Sequence, residues 1–120
     1  MAKILAVDDS TSMRGMVAFT LRNAGHEVSE AENGQLALNT AATERFDLVL
    51  ADVNMPVMDG ISMVRELRAM PAYKGVPILM LTTESHVDKK TEGKAAGATG
   101  WLVKPFDPEQ LLATVKRVLG

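Results

Sequence analysis

Short and almost unbroken apolar runs recur along the chain and alternate with segments in which apolar residues are three and four positions apart. Such runs are typical of strands covered on both faces of a sheet, because these strands need no polar face. They lie at Ile4–Val7, Leu48–Ala51, Ile78–Leu81 and Trp101–Val103. A fifth segment, His26–Glu30, alternates between apolar and polar residues and is typical of an edge strand.

Patterns typical of amphipathic helices fill the intervals between these strands. The first helix is predicted to stop at Gly25, and the third to end before Pro71. The fifth opens with Asp107 as N-cap, Pro108 at the first helical position and Gln110 at the capping-box position. The residues predicted to face inward are Met13, Met16, Val17, Thr20, Leu21 and Ala24 in the first helix; Ala37, Leu38 and Ala41 in the second; Met63, Val64 and Leu67 in the third; and Leu111, Leu112, Val115, Val118 and Leu119 in the fifth.

The fourth helix, at about residues 87–97, has a weaker pattern than the others. Its predicted apolar face consists of Val87, Ala95 and small residues. The charged residues around that face are Lys89, Lys90, Glu92 and Lys94. Gly93 lies in the helix interior, where glycine costs about 1 kcal/mol relative to alanine. We therefore expect this helix to be marginal and mobile.

Five strands that alternate with five helices predict an α/β fold. The expected architecture is a doubly wound, five-stranded parallel sheet with right-handed crossovers and helices on both faces. A length of 120 residues suits one domain, which we expect to span residues 1–120. In sheets of this kind, functional sites lie at the carboxyl ends of the strands.

Composition and charge narrow the possible partners. The formal net charge is −2 and the sequence contains no cluster of basic residues, which argues against nucleic acid as a partner. The absence of cysteine excludes disulfides and thiolate metal sites. The first ten residues, MAKILAVDDS, are typical neither of a signal peptide nor of a membrane span. We therefore expect a cytoplasmic protein with no membrane association.

Polar side chains follow four of the predicted strands at their carboxyl ends. They are Asp8 and Asp9 after the first strand, Asp52 after the third, Thr82 and Thr83 after the fourth, and Lys104 after the fifth. Neighbouring strands lie about 4.8 Å apart, so the three carboxylates crowd one another if the first and third strands are neighbours. Crowded carboxylates favour a bound cation, and ligand oxygens without His or Cys suit Mg²⁺.

Thr82 and Lys104 would add a hydroxyl donor and a cation to this acidic cluster, as a phosphoryl group requires. The set predicts phosphoryl transfer, with a carboxylate as possible nucleophile. Each residue alone has an ordinary alternative: Asp8 and Asp9 as a helix N-cap pair, Asp52 as a loop residue, Thr82 as a turn hydroxyl, and Lys104 as a surface lysine. Their coincidence at strand ends favours the functional interpretation.

Four motifs now resemble those of a known family. The segments VDDS at 7–10, ADVNMPVMDG at 51–60, LTTE at 81–84 and GWLVKPF at 100–106 resemble the receiver domain of bacterial two-component response regulators. The resemblance covers the whole chain, in which we expect no room for an output domain, and is therefore to single-domain chemotaxis regulators of the CheY type. It implies a flavodoxin-like sheet with the strand order 2-1-3-4-5.

The resemblance also implies the chemistry of the strand ends. Asp52 would be the phosphoacceptor, attacking the phosphohistidine of a histidine kinase of the CheA type. Asp9, Asp52 and the backbone carbonyl of Asn54 would bind Mg²⁺ directly, and Asp8 would act through water. Thr82 would donate a hydrogen bond to a phosphoryl oxygen, and Lys104 would pair with the phosphoryl group.

Further implied roles concern switching and phosphoryl lifetime. Thr82 and Trp101 would form the switch, although the family usually has Tyr or Phe where this chain has Trp101. Asn54 and Glu84 would tune hydrolysis. The peptide bond between Lys104 and Pro105 would be cis. The output surface would be helix 4, strand 5 and helix 5.

Such a protein would be a regulator and not an enzyme, since it would catalyse only its own phosphorylation and dephosphorylation. Its partners would be the kinase and a flagellar motor switch protein or a phosphatase, and it would be a monomer. Three alternatives stay open: a phosphate sink without direct motor output, an Mg²⁺-dependent phosphatase with an aspartyl nucleophile, and a flavin mononucleotide carrier. Asn54 weakens the phosphatase alternative, because a second carboxylate would serve better there as an acid.

Overall fold

Strands and helices alternate along the chain in a computed structural model that describes residues 2–83 and 89–120. The strands are β1 (Lys3–Val7), β2 (Glu27–Ala31), β3 (Leu48–Asp52), β4 (Ile78–Thr83) and β5 (Gly100–Lys104). The helices are α1 (Thr11–Asn23), α2 (Gly34–Thr43), α3 (Gly60–Ala69), α4 (Lys89–Ala96) and α5 (Pro108–Leu119), with a short 3-10 helix at Pro71–Tyr73. The alternation predicted from the hydrophobic pattern is confirmed.

All five strands form one parallel sheet in the order β2-β1-β3-β4-β5. This confirms the doubly wound, flavodoxin-like fold and the strand order that the resemblance implied. β2 lies at an edge, as its alternating pattern predicted. The central strand β3 is apolar throughout until it reaches Asp52, because helices cover both of its faces.

The sheet separates two apolar cores. Val49, Ala51 and Met80 face the core that packs under α2 and α3. Leu48 and Leu50 face the opposite core, under α1 and α5. Because successive side chains in a strand point to opposite faces, each apolar position along β3 belongs to one of these two cores.

Three helix ends, one in α5 and two in α1, have the caps that their residues favour. The Asp107 side chain accepts a hydrogen bond from the Gln110 backbone N–H, and the Gln110 side chain accepts one from the Asp107 N–H, so the predicted capping box is present. Ser10 caps α1 by accepting from the Met13 N–H. Gly25 has a φ of +95°, which accounts for the end of α1 just before it.

Two residues predicted to face inward are exposed. Ala24 follows the last residue of α1 as its C-cap, where the chain already turns away from the sheet. Ala95 points to solvent because Gly93 and Ala96 take the inward positions of α4. The predicted Val87 lies outside the described residues. Within the described residues, no helix is long and apolar enough to cross a membrane.

Candidate functional site

Asp8, Asp52 and Lys104 meet at the carboxyl edge of the sheet. β1 and β3 are neighbours, with Val7 registered to Ala51, so Asp8 and Asp52 follow at the same level. The Lys104 Nζ atom lies 3.3 Å from Asp8 Oδ2 and 3.3 Å from Asp52 Oδ2. The convergence predicted from the ends of the apolar runs is therefore present.

Strand alternation accounts for this meeting. Asp52 follows Leu50 by two positions, and Lys104 follows Leu102 by two, so each shares the face of a residue in the α1/α5 core. Lys104 reaches the two carboxylates from β5, two strands away from β3. The peptide bond between Lys104 and Pro105 is cis, as predicted.

Asp8 is almost fully buried and is fixed by three polar contacts. It is only 2% exposed, its Oδ1 accepts a hydrogen bond from the Ser10 N–H at 2.9 Å, and its Oδ2 pairs with Lys104. Its backbone carbonyl accepts a hydrogen bond from Arg14 Nη1 at 2.7 Å. Asp8 is therefore a fixed and buried charge at the site, which fits an indirect role better than that of the attacking group.

Asp52 is more accessible, and its ionisation is less favoured than usual. Burial raises the pKa of Asp52, and the negative charge of Asp8 raises it further. The ammonium of Lys104 and the Asn54 backbone N–H lower the pKa, but less than burial and Asp8 together raise it. One lysine is thus shared by two carboxylates and does not fully compensate the burial of Asp52, so the site favours an additional cation.

The carboxylates of Asp8, Asp9 and Asp52 can hold a metal ion. One oxygen from each lies within 4.8 Å of the others. Asp9 is exposed to solvent, whereas Asp52 is 14% exposed. Oxygen ligands with an open side toward water suit a hard cation that retains several waters, as Mg²⁺ does. The donor set therefore fits Mg²⁺.

Thr82 and Trp101 lie on the other face of the sheet, toward α3 and α4. Thr82 is 1% exposed and registered with Val103, and Trp101 is registered with Met80, which faces the α2/α3 core. The Trp101 indole is partly buried and contacts Gly93 of α4. The two residues expected to form the switch thus share one face of neighbouring strands.

Asn54 follows the predicted acceptor by two residues and is exposed. The predicted tuning residue Glu84 lies outside the described residues. Two residues with a structural part in the site were not predicted to have one. They are Gly60 and Arg14.

Gly60 permits the loop after β3 to fold back on the acceptor. Its N–H donates to the Val53 carbonyl at 2.9 Å, and a Cβ atom at position 60 would lie 2.1 Å from the Asp52 carbonyl oxygen. Only glycine fits such a close backbone approach. An Asp-Gly pair such as Asp59-Gly60 is typical of a turn, but it does not indicate contact with Asp52.

Comparisons with known proteins agree with this geometry. A family model described as the response regulator receiver domain matches residues 4–116. The chain is 59% identical to the chemotaxis response regulator CheY4 of Vibrio cholerae over 98% of both chains, with a TM-score of 0.94. It is 38% identical to a chemotaxis protein CheY homolog of Campylobacter jejuni, covering 98% of this chain and 92% of that protein.

Other relatives are longer than this chain. The transcriptional regulatory protein PrrA of Mycobacterium tuberculosis is 42% identical over 117 residues, which are 98% of this chain and 49% of that protein. The chain thus spans about half the length of the transcriptional regulators that it matches. Together, the acidic strand ends, the shared lysine and these matches show that the chain belongs to the receiver domain family of two-component response regulators and is of the CheY type.

Proposed function

We propose that Asp52 accepts a phosphoryl group from the phosphohistidine of a histidine kinase of the CheA type. The Asp52 carboxylate attacks phosphorus, a new O–P bond forms, and the N–P bond to the kinase histidine breaks. The observation that carries the proposal is the 3.3 Å contact between Lys104 Nζ and Asp52 Oδ2. A cation held there is placed for charge that develops on the phosphoryl oxygens.

The acidic cluster would hold Mg²⁺ during this step. Asp9, Asp52 and the Asn54 backbone carbonyl would be direct ligands, and Asp8 would contribute through water. When bound, Mg²⁺ would neutralise negative charge on the phosphoryl group and the carboxylates. The close packing of the three carboxylates supports this assignment.

Lys104 would exchange its pairing with Asp52 for one with a phosphoryl oxygen while keeping Asp8. Thr82, buried on the neighbouring strand, would donate its hydroxyl to another phosphoryl oxygen. Asn54 and Glu84 would tune how fast water removes the phosphoryl group. The protein would act as a regulator that catalyses only its own phosphorylation and dephosphorylation.

The output would be a change at the surface formed by α4, β5 and α5, with Thr82 and Trp101 as the connecting residues. A flagellar motor switch protein or a phosphatase would bind there. Similarity to chemotaxis regulators supports this assignment and favours a cytoplasmic, monomeric receiver spanning residues 1–120. A phosphate sink would share the chemistry and lack the motor partner.

The test is intact mass after incubation with acetyl phosphate and Mg²⁺. We expect one added phosphoryl group in the wild type and in Asp59→Asn, and none in Asp52→Asn. Asp59 is a matched control because it lies in the same loop but caps α3. Undiminished phosphorylation of Asp52→Asn would refute the assignment of the acceptor.

A further inference from the structure

Gly93 of α4 lies directly against the indole of Trp101. A Cβ atom at position 93 would be 2.2 Å from Trp101 Cη2 and 2.6 Å from Cζ2. These atoms form the outer edge of the six-membered ring. Gly93 is buried, whereas its neighbours Glu92 and Lys94 are exposed. No residue with a side chain fits at position 93 while the ring keeps this place.

The ring also packs against the core on the α2/α3 face of the sheet. Trp101 is registered with Met80 of β4, and both contact the core under α2 and α3. Ala96 and Ala98 pack against the same core beside it. The indole therefore lies, partly buried, between this core and α4, and it meets the helix at a residue with no side chain.

Hydrogen bonds hold the C-terminal end of α4 in place beside the ring. The Gly93 carbonyl accepts hydrogen bonds from the Gly97 N–H at 3.1 Å and the Ala98 N–H at 3.0 Å, which close the end of α4. The Gly97 carbonyl in turn accepts from Arg68 Nε at 2.9 Å. Because Arg68 belongs to α3, the end of α4 is fixed to a neighbouring helix. We therefore expect a side chain at position 93 to displace the ring and not the end of the helix.

We propose that Gly93 is a positioning residue for Trp101. Because Gly93 has no side chain, α4 has a recess at this position, here called the seat, that holds the indole against the helix. The seat accounts for a glycine inside a helix, where the residue is otherwise unfavourable. It also couples the ring to the helix, so that neither can rearrange without the other. The link from this coupling to signalling rests on the proposed function, whereas the seat itself does not.

The test compares Gly93→Ala with Gly15→Ala. Gly15 lies inside α1, and nothing would lie within 4 Å of a Cβ there. We expect Gly15→Ala to raise Tm by about 2–4 °C through helix propensity alone. We expect Gly93→Ala to lower Tm and to shift the fluorescence emission to longer wavelength, because the ring moves toward water. Trp101 is the only tryptophan, so the emission reports this ring.

A second pair of variants separates the seat from a general packing defect. Trp101→Phe removes the outer edge of the indole that a Cβ at position 93 would meet. In that background we expect Gly93→Ala to raise Tm as Gly15→Ala does. A reversal of sign between the two backgrounds supports the seat. The same change in Tm in both backgrounds, with wild-type emission in Gly93→Ala, would overturn it.

The response to phosphorylation distinguishes the proposal for Gly93 from the proposed function of Asp52. With acetyl phosphate and Mg²⁺, we expect Gly93→Ala to gain one phosphoryl group as the wild type does. Its emission change on phosphorylation should be smaller, because the ring has already left its seat. An unphosphorylated wild type would count against the proposed function, while the Tm and emission of the resting variants would still decide on the seat.

Discussion

Lys104 Nζ lies 3.3 Å from Asp52 Oδ2, although the two residues belong to strands separated by β4. The same atom lies 3.3 Å from the buried Asp8. Lys104 therefore reaches across the carboxyl edge of the sheet and forms ion pairs with two carboxylates. It stabilises the acidic site in the resting protein and is already near the position of an incoming phosphoryl group.

Removal of the Lys104 ammonium should slow phosphorylation of the folded protein. We expect Lys104→Met to reduce the rate of phosphorylation by acetyl phosphate by about 10²-fold, the usual effect of losing one preorganised electrostatic contact. Stopped samples analysed by intact mass give the rate. Lys116→Met, in an exposed position of α5, is the control and should react at the wild-type rate. A wild-type rate in Lys104→Met would exclude the proposed role of the ammonium.

Neutralising Asp52 should stabilise the protein at neutral pH. Burial raises the pKa of Asp52 above its ordinary value of 3.8, so the ionised carboxylate opposes folding at pH values above the folded-state pKa. We expect Asp52→Asn to raise the free energy of unfolding at pH 7 by roughly 1 kcal/mol. The gain should shrink as the pH falls through the folded-state pKa of Asp52, because the carboxyl group of the folded protein is then protonated. Urea unfolding at several pH values measures it; a variant less stable than the wild type at pH 7 would contradict the prediction.

Substitution of Gly60 should damage both fold and site. A Cβ atom there would lie 2.1 Å from the Asp52 carbonyl oxygen, and backbone atoms cannot move aside as a flexible side chain can. We expect Gly60→Ala to lower the free energy of unfolding by about 2–3 kcal/mol and to slow phosphorylation. Gly75→Ala is the control, because nothing lies within 4 Å of a Cβ at that position. Equal stabilities of the two variants would show that the loop after β3 adjusts freely.

Loss of Asp9 should weaken Mg²⁺ binding without disturbing the core. Asp9 is exposed and lies within 4.8 Å of the other two carboxylates. Mg²⁺ that binds only the folded state should raise Tm with concentration. We expect Asp9→Asn to need at least about tenfold more Mg²⁺ for the same rise. Glu66→Gln, an exposed carboxylate on α3, should behave as the wild type, and an unchanged Mg²⁺ response in Asp9→Asn would remove it from the ligand set.

The sequence could predict that Asp52 and Lys104 lie at the same edge of the sheet, because this depends only on where each parallel strand ends. Apolar runs mark where buried strands end, and the carboxyl ends of parallel strands share one edge of the sheet. The order of the strands could not be read from periodicity, which carries no information on which strands are neighbours. It came from the resemblance of the motifs at 7–10, 51–60, 81–84 and 100–106 to a known family.

The contacts of Gly60, Gly93 and Arg14 could not be predicted, because each depends on an element distant in the chain or on a backbone atom. Gly60 looked like an ordinary turn residue until the loop folded back on Asp52. Gly93 was visible only as an unfavourable helix residue, since its partner ring comes from β5. Arg14 donates a hydrogen bond to the backbone carbonyl of Asp8. Every residue has such a carbonyl, so the sequence does not indicate this contact.

The most direct test of the central claim is to locate the phosphoryl group. Borohydride reduction converts a phosphorylated aspartate to homoserine, which peptide mass spectrometry assigns to one position. After treatment with acetyl phosphate and Mg²⁺, we predict homoserine at position 52, with Asp8 and Asp9 unchanged. Homoserine at position 8 or 9, or phosphorylation without any homoserine at position 52, would contradict the account.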